Sequence, residues 1–395
     1  MSNKEKLIIF LLASVNFTHI IDFMIMMPLG PVLKEKFALT PHSFSIIISS
    51  YAIAAFVSSF SAATYVDRFD RKKVLLFGYS GFILATFACG IADSFVLLMA
   101  ARIMAGFFGG LIGAQVMSMV ADTFPMERRG QAMGIMMGAF GAASVLGVPM
   151  ALKLAEYGWH TPFTVLSGLS LVVLLLALRF VPSMTKHITE KAKTANPFDV
   201  FTRIIADNNQ RMALTMSFVL MFSHFSVISF MATYMHTNVG FSQEDMKFIY
   251  FFGGLASLVS GPIIGKMADK FGKFKVFSVF AAIAVIPVLI ITNLGHTPLY
   301  LALILSSVFF IISGGRIIPS QALMSSVVKP EFRGGFMSVN SSLQQLSSGL
   351  AAYVSGMIVI ETATGELINY NYIGYFAAAL SLVCIWLGWK LVEKG

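Results

Sequence analysis

Charge is scarce in this sequence: Asp, Glu, Lys and Arg make up 12% of the 395 residues, well under the roughly 25% of soluble domains. Cysteine is scarcer. Cys89 and Cys384 both fall inside apolar runs, which argues against a disulfide framework or a cysteine-held metal cluster and leaves them as small apolar fillers. Phosphate-cradling glycine loops, zinc-ligand spacings and nucleophile elbows are missing, so no enzyme chemistry is written in a recognisable motif and no cofactor or metal is expected. Polar stretches long enough for a soluble domain are also missing.

Apolar residues fill the space, at 57% of the chain. Runs of about 18 to 25 apolar residues, each able to cross a hydrocarbon layer of roughly 30 Å as a helix, recur along nearly the whole length. They predict twelve spans, at 7–29, 44–64, 74–92, 95–119, 131–153, 163–181, 211–233, 246–267, 275–293, 298–322, 336–360 and 372–392. The fold class that follows is an all-α membrane protein. One longer polar connection, 182–210, separates an N-terminal half (1–181) from a C-terminal half (211–395), each of six helices. The first span carries Asn16, His19 and Asp22 and no small-residue cleavage site follows it, so it reads as a retained helix rather than a signal peptide.

A net charge of +9 in a soluble protein would suggest a nucleic-acid partner, but its placement argues otherwise. With the N-terminus inside, Lys4, Lys6, Arg68, Arg71, Lys72, Lys73, Arg128, Arg129, Arg203, Lys270, Lys273, Lys275 and Arg333 are among the many basic residues on the cytoplasmic side. Only Lys34, Lys36, Lys153 and Lys247 stand outside. This is the positive-inside bias; it puts both termini in the cytoplasm and makes the bilayer, not nucleic acid, the surrounding partner.

The two halves repeat each other. "YVDRFDRKKVL" (65–75) and "MADKFGKFKVF" (267–277) align at an offset of 202, pairing Asp67 with Asp269, Arg68 with Lys270 and Arg71 with Lys273. Both join the second and third span of their half. "ERRGQAM" (127–133) meets "EFRGGFM" (331–337) at an offset of 204, and "FTH" meets "FSH" at 205, setting His19 beside His224. Offsets that drift so little across six helices argue for a duplicated unit. Parallel halves of six would enclose a central cavity about an axis along the membrane normal.

Five stretches in this order resemble the major facilitator superfamily, and within it the twelve-helix drug:proton antiporter group that includes predicted sugar and drug efflux proteins. They are "HIIDFMIMMPLGPVL" (19–33), "ATYVDRFDRKK" (63–73), "LLMAARIMAGFFGG" (97–110), "GAFGAASVLGVPM" (138–150) and "GKMADKFGKFK" (265–275), and the resemblance covers the whole chain. The first loop has Ala63 and Asp70 where the family has glycine; the second keeps Gly265 and Gly272. The resemblance implies a multi-pass inner-membrane transporter of small organic solutes or drugs. It also implies that the fifth-span glycines Gly138, Gly141 and Gly147, with Pro149, mark export by antiport, whereas tight packing alone would say nothing of direction. A monomer with protons as coupling ion is the expected form. An importer or uniporter of a sugar or metabolite would keep the same fold, and a transport-dead membrane sensor is the reading from another class.

A charge at membrane depth costs at least roughly 2.5 to 3.5 kcal/mol, so each one is a functional candidate. Asp22, Arg102 and Arg316 are the candidates. Asn16, His19 and Asp22 fall on one side of the first helix, a stripe expected to face water or substrate. In a partly dehydrated cavity Asp22 would take and release a proton in each cycle, with Arg102 modulating it, a role the resemblance also implies for the fourth-span arginine. The plainer possibility is that Asp22 only braces a neighbouring helix and Arg102 snorkels to the surface.

His19 and His224 could face each other across the cavity, or simply hydrogen-bond within the bundle. Gln115 and Gln321, with Gln344 and Gln345, could bind a polar substrate or glue helices together. In the loops, Asp67 could sit by the N-terminus of the eleventh helix and Arg71 could pair with Asp122, contacts that would latch an outward-facing state; a topology anchor is the alternative. Twenty-four methionines and thirty-seven phenylalanines could line a promiscuous pocket, though most would face lipid or core.

Overall fold

A computed structural model describes residues 2–65, 68–124, 132, 135–136, 138–139, 141–185, 188, 199–329 and 332–391. The helices begin where the sequence supplies caps. Ser2 and Glu5 form a capping box ahead of α1 (Asn3–Ile25), Ser94 caps α5 (Phe95–Thr123), and Ser242 with Asp245 forms a second box ahead of α10 (Gln243–Phe271). Between α1 and α5 lie the short α2 (Gly30–Phe37), α3 (Pro41–Tyr65) and α4 (Arg71–Gly90). After α5, a π-helical turn at Ala143–Gly147 leads into α6 (Val148–Ala155), followed by α7 (Thr161–Phe180), α8 (Asp199–Ala206) and α9 (Asn208–Thr237). Beyond α10 come α11 (Lys273–Ile283), α12 (Val285–Thr292), α13 (Leu299–Ser326), α14 (Arg333–Ile358) and α15 (Tyr370–Trp389). A hairpin of β1 (Ile360–Glu361) on β2 (Leu367–Ile368) joins the last two helices.

Among the described residues, ten spans are long and apolar enough to cross a membrane, with α11 and α12 forming one of them, Lys273–Thr292. The expected eleventh span exists as the 26-residue α14, whose polar groups turn toward α9. Gln344, Ser347 and Ser355 bond to Ser217, Phe218 and Ser226 there. Polarity spent inside the bundle explains why this span is less apolar than its neighbours. Of the expected fifth span, Ala143–Ala155 is described as a shorter apolar helix. Large side chains such as Phe77, Leu84, Leu175, Ile286 and Trp386 are exposed on the outside, where lipid would cover them.

Packing partners repeat between α1–α7 and α9–α15. α1 lies against α5, α7 and the π turn; α9 lies against α13, α15 and α14. Likewise α4 packs on α5 and α7, while the α11–α12 span packs on α13 and α15. Among the described residues, the sets meet most extensively where α3 runs along α14 and where α10 runs along the π turn and α6. Within the first set, Gly106 and Gly110 of α5 rest on the backbone of Tyr51 and Ala55 of α3, where any Cβ would collide; small residues are what lets helices approach this closely in a membrane.

The apolar cores show how the sets meet. At the end bearing α2 and the hairpin, here the far end, one core mixes both sets: Ile25, Leu29, Leu33 and Ile47 pack with Phe230, Met231, Met235 and Ile249. At the opposite, basic end there are two cores. One holds Ile8, Leu12, Leu75, Tyr79, Val116 and Ala177 from the first set; the other holds Met216, Leu220, Phe277, Leu323, Phe336 and Leu387 from the second. Among the described residues, the buried apolar core is shared by both sets at the far end and divided at the basic end. There α8 lies between them, with Phe201 on Phe60 of α3 at 4.6 Å and Arg203 over Phe332 beside α14 at 4.3 Å.

Candidate functional site

α1 does carry Asn16, His19 and Asp22 on one side, but that side is buried. Asn16 and His19 are nine-tenths buried and Asp22 entirely so. This corrects the expected solvated stripe. Helical spacing shows that three residues share a face; it does not show whether the face meets a crevice or the neighbouring helices, and here it meets α4 and α5. Asp22 Oδ2 accepts from Arg102 Nη1 at 2.8 Å and its backbone carbonyl from Arg102 Nη2 at 3.3 Å. Thr86 Oγ1 donates to the other carboxylate oxygen at 3.2 Å, and the guanidinium lies 4.3 Å from the centre of the Tyr51 ring. Arg102 therefore reaches inward to Asp22 rather than snorkelling to a surface. Asn16 donates to the Met136 carbonyl at 3.5 Å.

The pair sits among unused hydrogen-bonding capacity. Both ring nitrogens of His19, Tyr51 Oη and Arg102 Nε are buried with no partner among the described residues. His19 Nε2 and Tyr51 Oη converge on Gly109 of α5, where a side chain would overlap both. Four elements, α1, α3, α4 and α5, thus enclose an ion pair whose charges are neutralised by each other, a state in which losing either charge leaves the other uncompensated.

In the second set His224 stacks on Phe309 at 6.2 Å and meets Phe225 edge-on at 5.4 Å, while His19 packs edge-on against Phe82 at 5.8 Å. The expectation of two facing histidines is replaced by an aromatic bridge: Phe23 of α1 touches Phe225 of α9 at 5.7 Å. Arg316 is buried in α13 and Nη1 donates to Ser381 Oγ of α15 at 2.8 Å. The glutamines divide. Gln115 donates to the Arg71 carbonyl at the basic end of α5, at 3.3 Å. Gln321 accepts from Asn340 at 3.3 Å and Gln344 donates to Ser217 at 3.0 Å, both tying helices together. Gln345 is half-exposed.

The loop residues form a different device from the one expected. Arg71 pairs with Asp122 at 2.5 Å, but α4 and α5 belong to the same set, so the contact braces one set and does not latch two. Asp67 lies outside the described residues, as do Glu127, Arg129 and Glu331. Arg68, Asp269 and Lys270 are exposed and Lys273 half-exposed. Asp70 caps α4 through Lys72 N at 3.0 Å and also accepts from Ser183 Oγ at 2.6 Å and Met184 N at 2.8 Å. Partial burial pushes its carboxyl upward, yet these hydrogen bonds outweigh that and hold it below its ordinary value. Its repeat mate Gly272 instead turns the chain at φ 96°, a conformation that favours glycine.

Contacts bridging the sets at the far end were missed from sequence. Lys34 of α2 pairs with Glu361 of the hairpin at 2.8 Å, and Lys247 of α10 pairs with Glu156 just after α6, which Lys153 also holds at 2.6 Å. Asn238 exchanges two hydrogen bonds with Leu367, both at 2.9 Å, within the second set. A signal existed: three of the four lysines that break the positive-inside bias are the three in these pairs. In the fifth-span segment, Gly141 faces Leu258 of α10 and Gly147 faces Ile21 of α1, while Gly138 has open space where a Cβ would go. Pro149 stands in the first turn of α6, where its missing N–H is tolerated, directly after the π turn.

The model for the Major Facilitator Superfamily matches residues 12–352 and, in an overlapping match, 213–394. The chain is 24% identical over 397 residues to the uncharacterized MFS-type transporter YceJ of Bacillus subtilis (strain 168), covering 98% of this chain and 97% of the relative. It is 21% identical over 393 residues to Multidrug resistance protein 1 of the same strain, with coverage of 98% and 97%. In fold it is similar to the crystal structure of a D-xylose-proton symporter, with a TM-score of 0.80, 16% identity and 99% of each chain covered. A bacterial homolog of the human lysosomal transporter Spinster, in an inward-facing and unoccupied conformation, gives a TM-score of 0.76 at 15% identity over 100% of this chain and 99% of that one.

Proposed function

The chain belongs to the major facilitator superfamily and is a membrane transporter of that family; from this premise we propose that it exports a small organic solute in exchange for protons. Alternating access would rock α1–α7 against α9–α15, with both termini in the cytoplasm of a bacterial inner membrane. The observation that carries the coupling is the sealed Asp22–Arg102 pair, 2.8 Å apart and 0–1% exposed. A proton delivered to Asp22 removes the counter-charge of Arg102, so the α1–α5 packing that the pair supports has two alternatives separated by one proton. That is the element a proton gradient can drive.

The conformation fits the same reading. With the basic end in the cytoplasm, a core fused at the far end and divided at the basic end is the inward-facing arrangement, held by Lys34–Glu361 and Lys247–Glu156 across the outer rim. Export is supported by the close α10 contact of the glycine-rich segment, where Gly254 rests on Ser144, and by the name of the Multidrug resistance protein 1 relative. Everted membrane vesicles energised to an acid interior test direction and coupling together. An antiporter dissipates the gradient when its solute is added outside; an importer working by symport does not accumulate solute in such vesicles. Loss of the response in Asp22→Asn is expected.

A further inference from the structure

A guanidinium buried in a protein within a membrane needs a counter-charge, since an unpaired ion there is strongly disfavoured. Arg102 has Asp22. Among the described residues Arg316 has none: it is 1% exposed, its hydrogen bond goes to the neutral Ser381 hydroxyl, and its Nε is buried with no partner among those residues. Among the described residues, the carboxylates of the second set stand at the ends of helices or in the hairpin. Asp207 caps α9, Glu244 and Asp245 open α10, Asp269 closes it, and Glu361 and Glu366 flank the turn between α14 and α15.

The surroundings carry further polar groups with no partner among the described residues. Ser313, one turn away from Arg316 on α13, has a buried hydroxyl with no partner, and so does the Nδ1 of His224 on α9. Ser381 in turn contacts Ser223 of α9 at 3.4 Å. Arg316 thus sits among α9, α13 and α15 in a group of hydroxyls and an imidazole that lacks one negative charge. Gln321, five residues further along α13, is half-exposed toward the divided basic end.

We propose that the missing charge is brought by the transported molecule, and that Arg316 anchors the carboxylate of a small organic anion. One guanidinium and neutral donors match one negative charge with two acceptor oxygens, the geometry at which arginine excels. This assignment rests on the transport reading and names its substrate class. It also adds to the driving force: a carboxylate leaving as a proton enters moves two charges in the direction that an inside-negative potential favours.

The test is equilibrium binding by purified full-length protein in detergent, followed by thermal shift, with benzoate, lactate and gluconate set beside the neutral benzamide, lactamide and glucose. At least one carboxylate should raise the melting temperature at millimolar concentration while its neutral counterpart does not. Arg316→Gln should weaken that response at least tenfold and Arg316→Lys less. Ser381→Asp, which supplies an internal carboxylate, should melt higher than wild type without ligand and lose the response. Equal responses to neutral analogues, a full response in Arg316→Gln, a lower melting temperature in Ser381→Asp, or no response to any of the carboxylates would overturn the assignment. Because no gradient is involved, these outcomes leave proton coupling untouched, whereas carboxylate binding without gradient-driven flux would contradict the coupling and not the site.

Discussion

The two helix sets share an architecture and treat a buried arginine in opposite ways. In the first, Arg102 is closed by Asp22, Thr86 and the face of Tyr51; in the second, Arg316 meets one serine. Duplication preserved the packing of helices and not the chemistry of their interiors. The lesson is a division of labour: a neutralised pair can be switched by one proton, and an unneutralised cation can be switched by one anion. On the proposed function, one set would read the gradient and the other the solute.

The largest effect should come from unbalancing the balanced side. Arg102→Gln strands a buried carboxylate and should destabilise the protein by about 3–5 kcal/mol, read as a drop in thermal midpoint in detergent. Adding Asp22→Asn should recover much of that loss. The contrast is sharpened by Arg316→Gln, which removes an unpaired charge and should melt at or above wild type. If both arginine variants melt equally low, the sets do not differ in the way described.

A smaller effect is expected at the far-end rim. Glu361→Gln and Glu156→Gln break solvent-accessible ion pairs, which contribute little to stability. Such changes hardly alter melting but should shift the population toward a far end that opens, measured as greater labelling of a cysteine placed at Met27 or Met231 in the fused core. The smallest effect concerns Asp70. Its folded value is depressed, so its stabilising contribution is complete above the ordinary 3.8 of aspartate and fades as pH falls below that toward the lowered folded value. Asp70→Asn should flatten that acid limb of a melting-against-pH curve and leave the neutral region almost unchanged.

Helix positions were legible because apolar runs of membrane length have few alternatives, and the repeat was legible because its loops are charged and therefore distinctive. Asp22, Arg102 and Arg316 stood out by rarity. What periodicity does not supply is the neighbour of each: helical spacing points Asp22 toward a crevice, while its partner lies 80 residues away on α5. The same limit applies to Gln115, whose donor reaches the Arg71 carbonyl, and to Lys34 and Lys247, whose acids come from the opposite set. The substitution of Asp70 for a family glycine was visible in the sequence; that the carboxylate captures Ser183 and Met184 was not, because those residues follow a different helix.

The most direct measurement is solute flux driven by an imposed pH gradient in proteoliposomes, with wild type beside Asp22→Asn and the carboxylate selected by thermal shift as the solute. Gradient-driven flux should fall more than tenfold in Asp22→Asn while solute-for-solute exchange at equal pH persists, since binding would be intact and coupling lost. Undiminished gradient-driven flux in that variant would contradict the account.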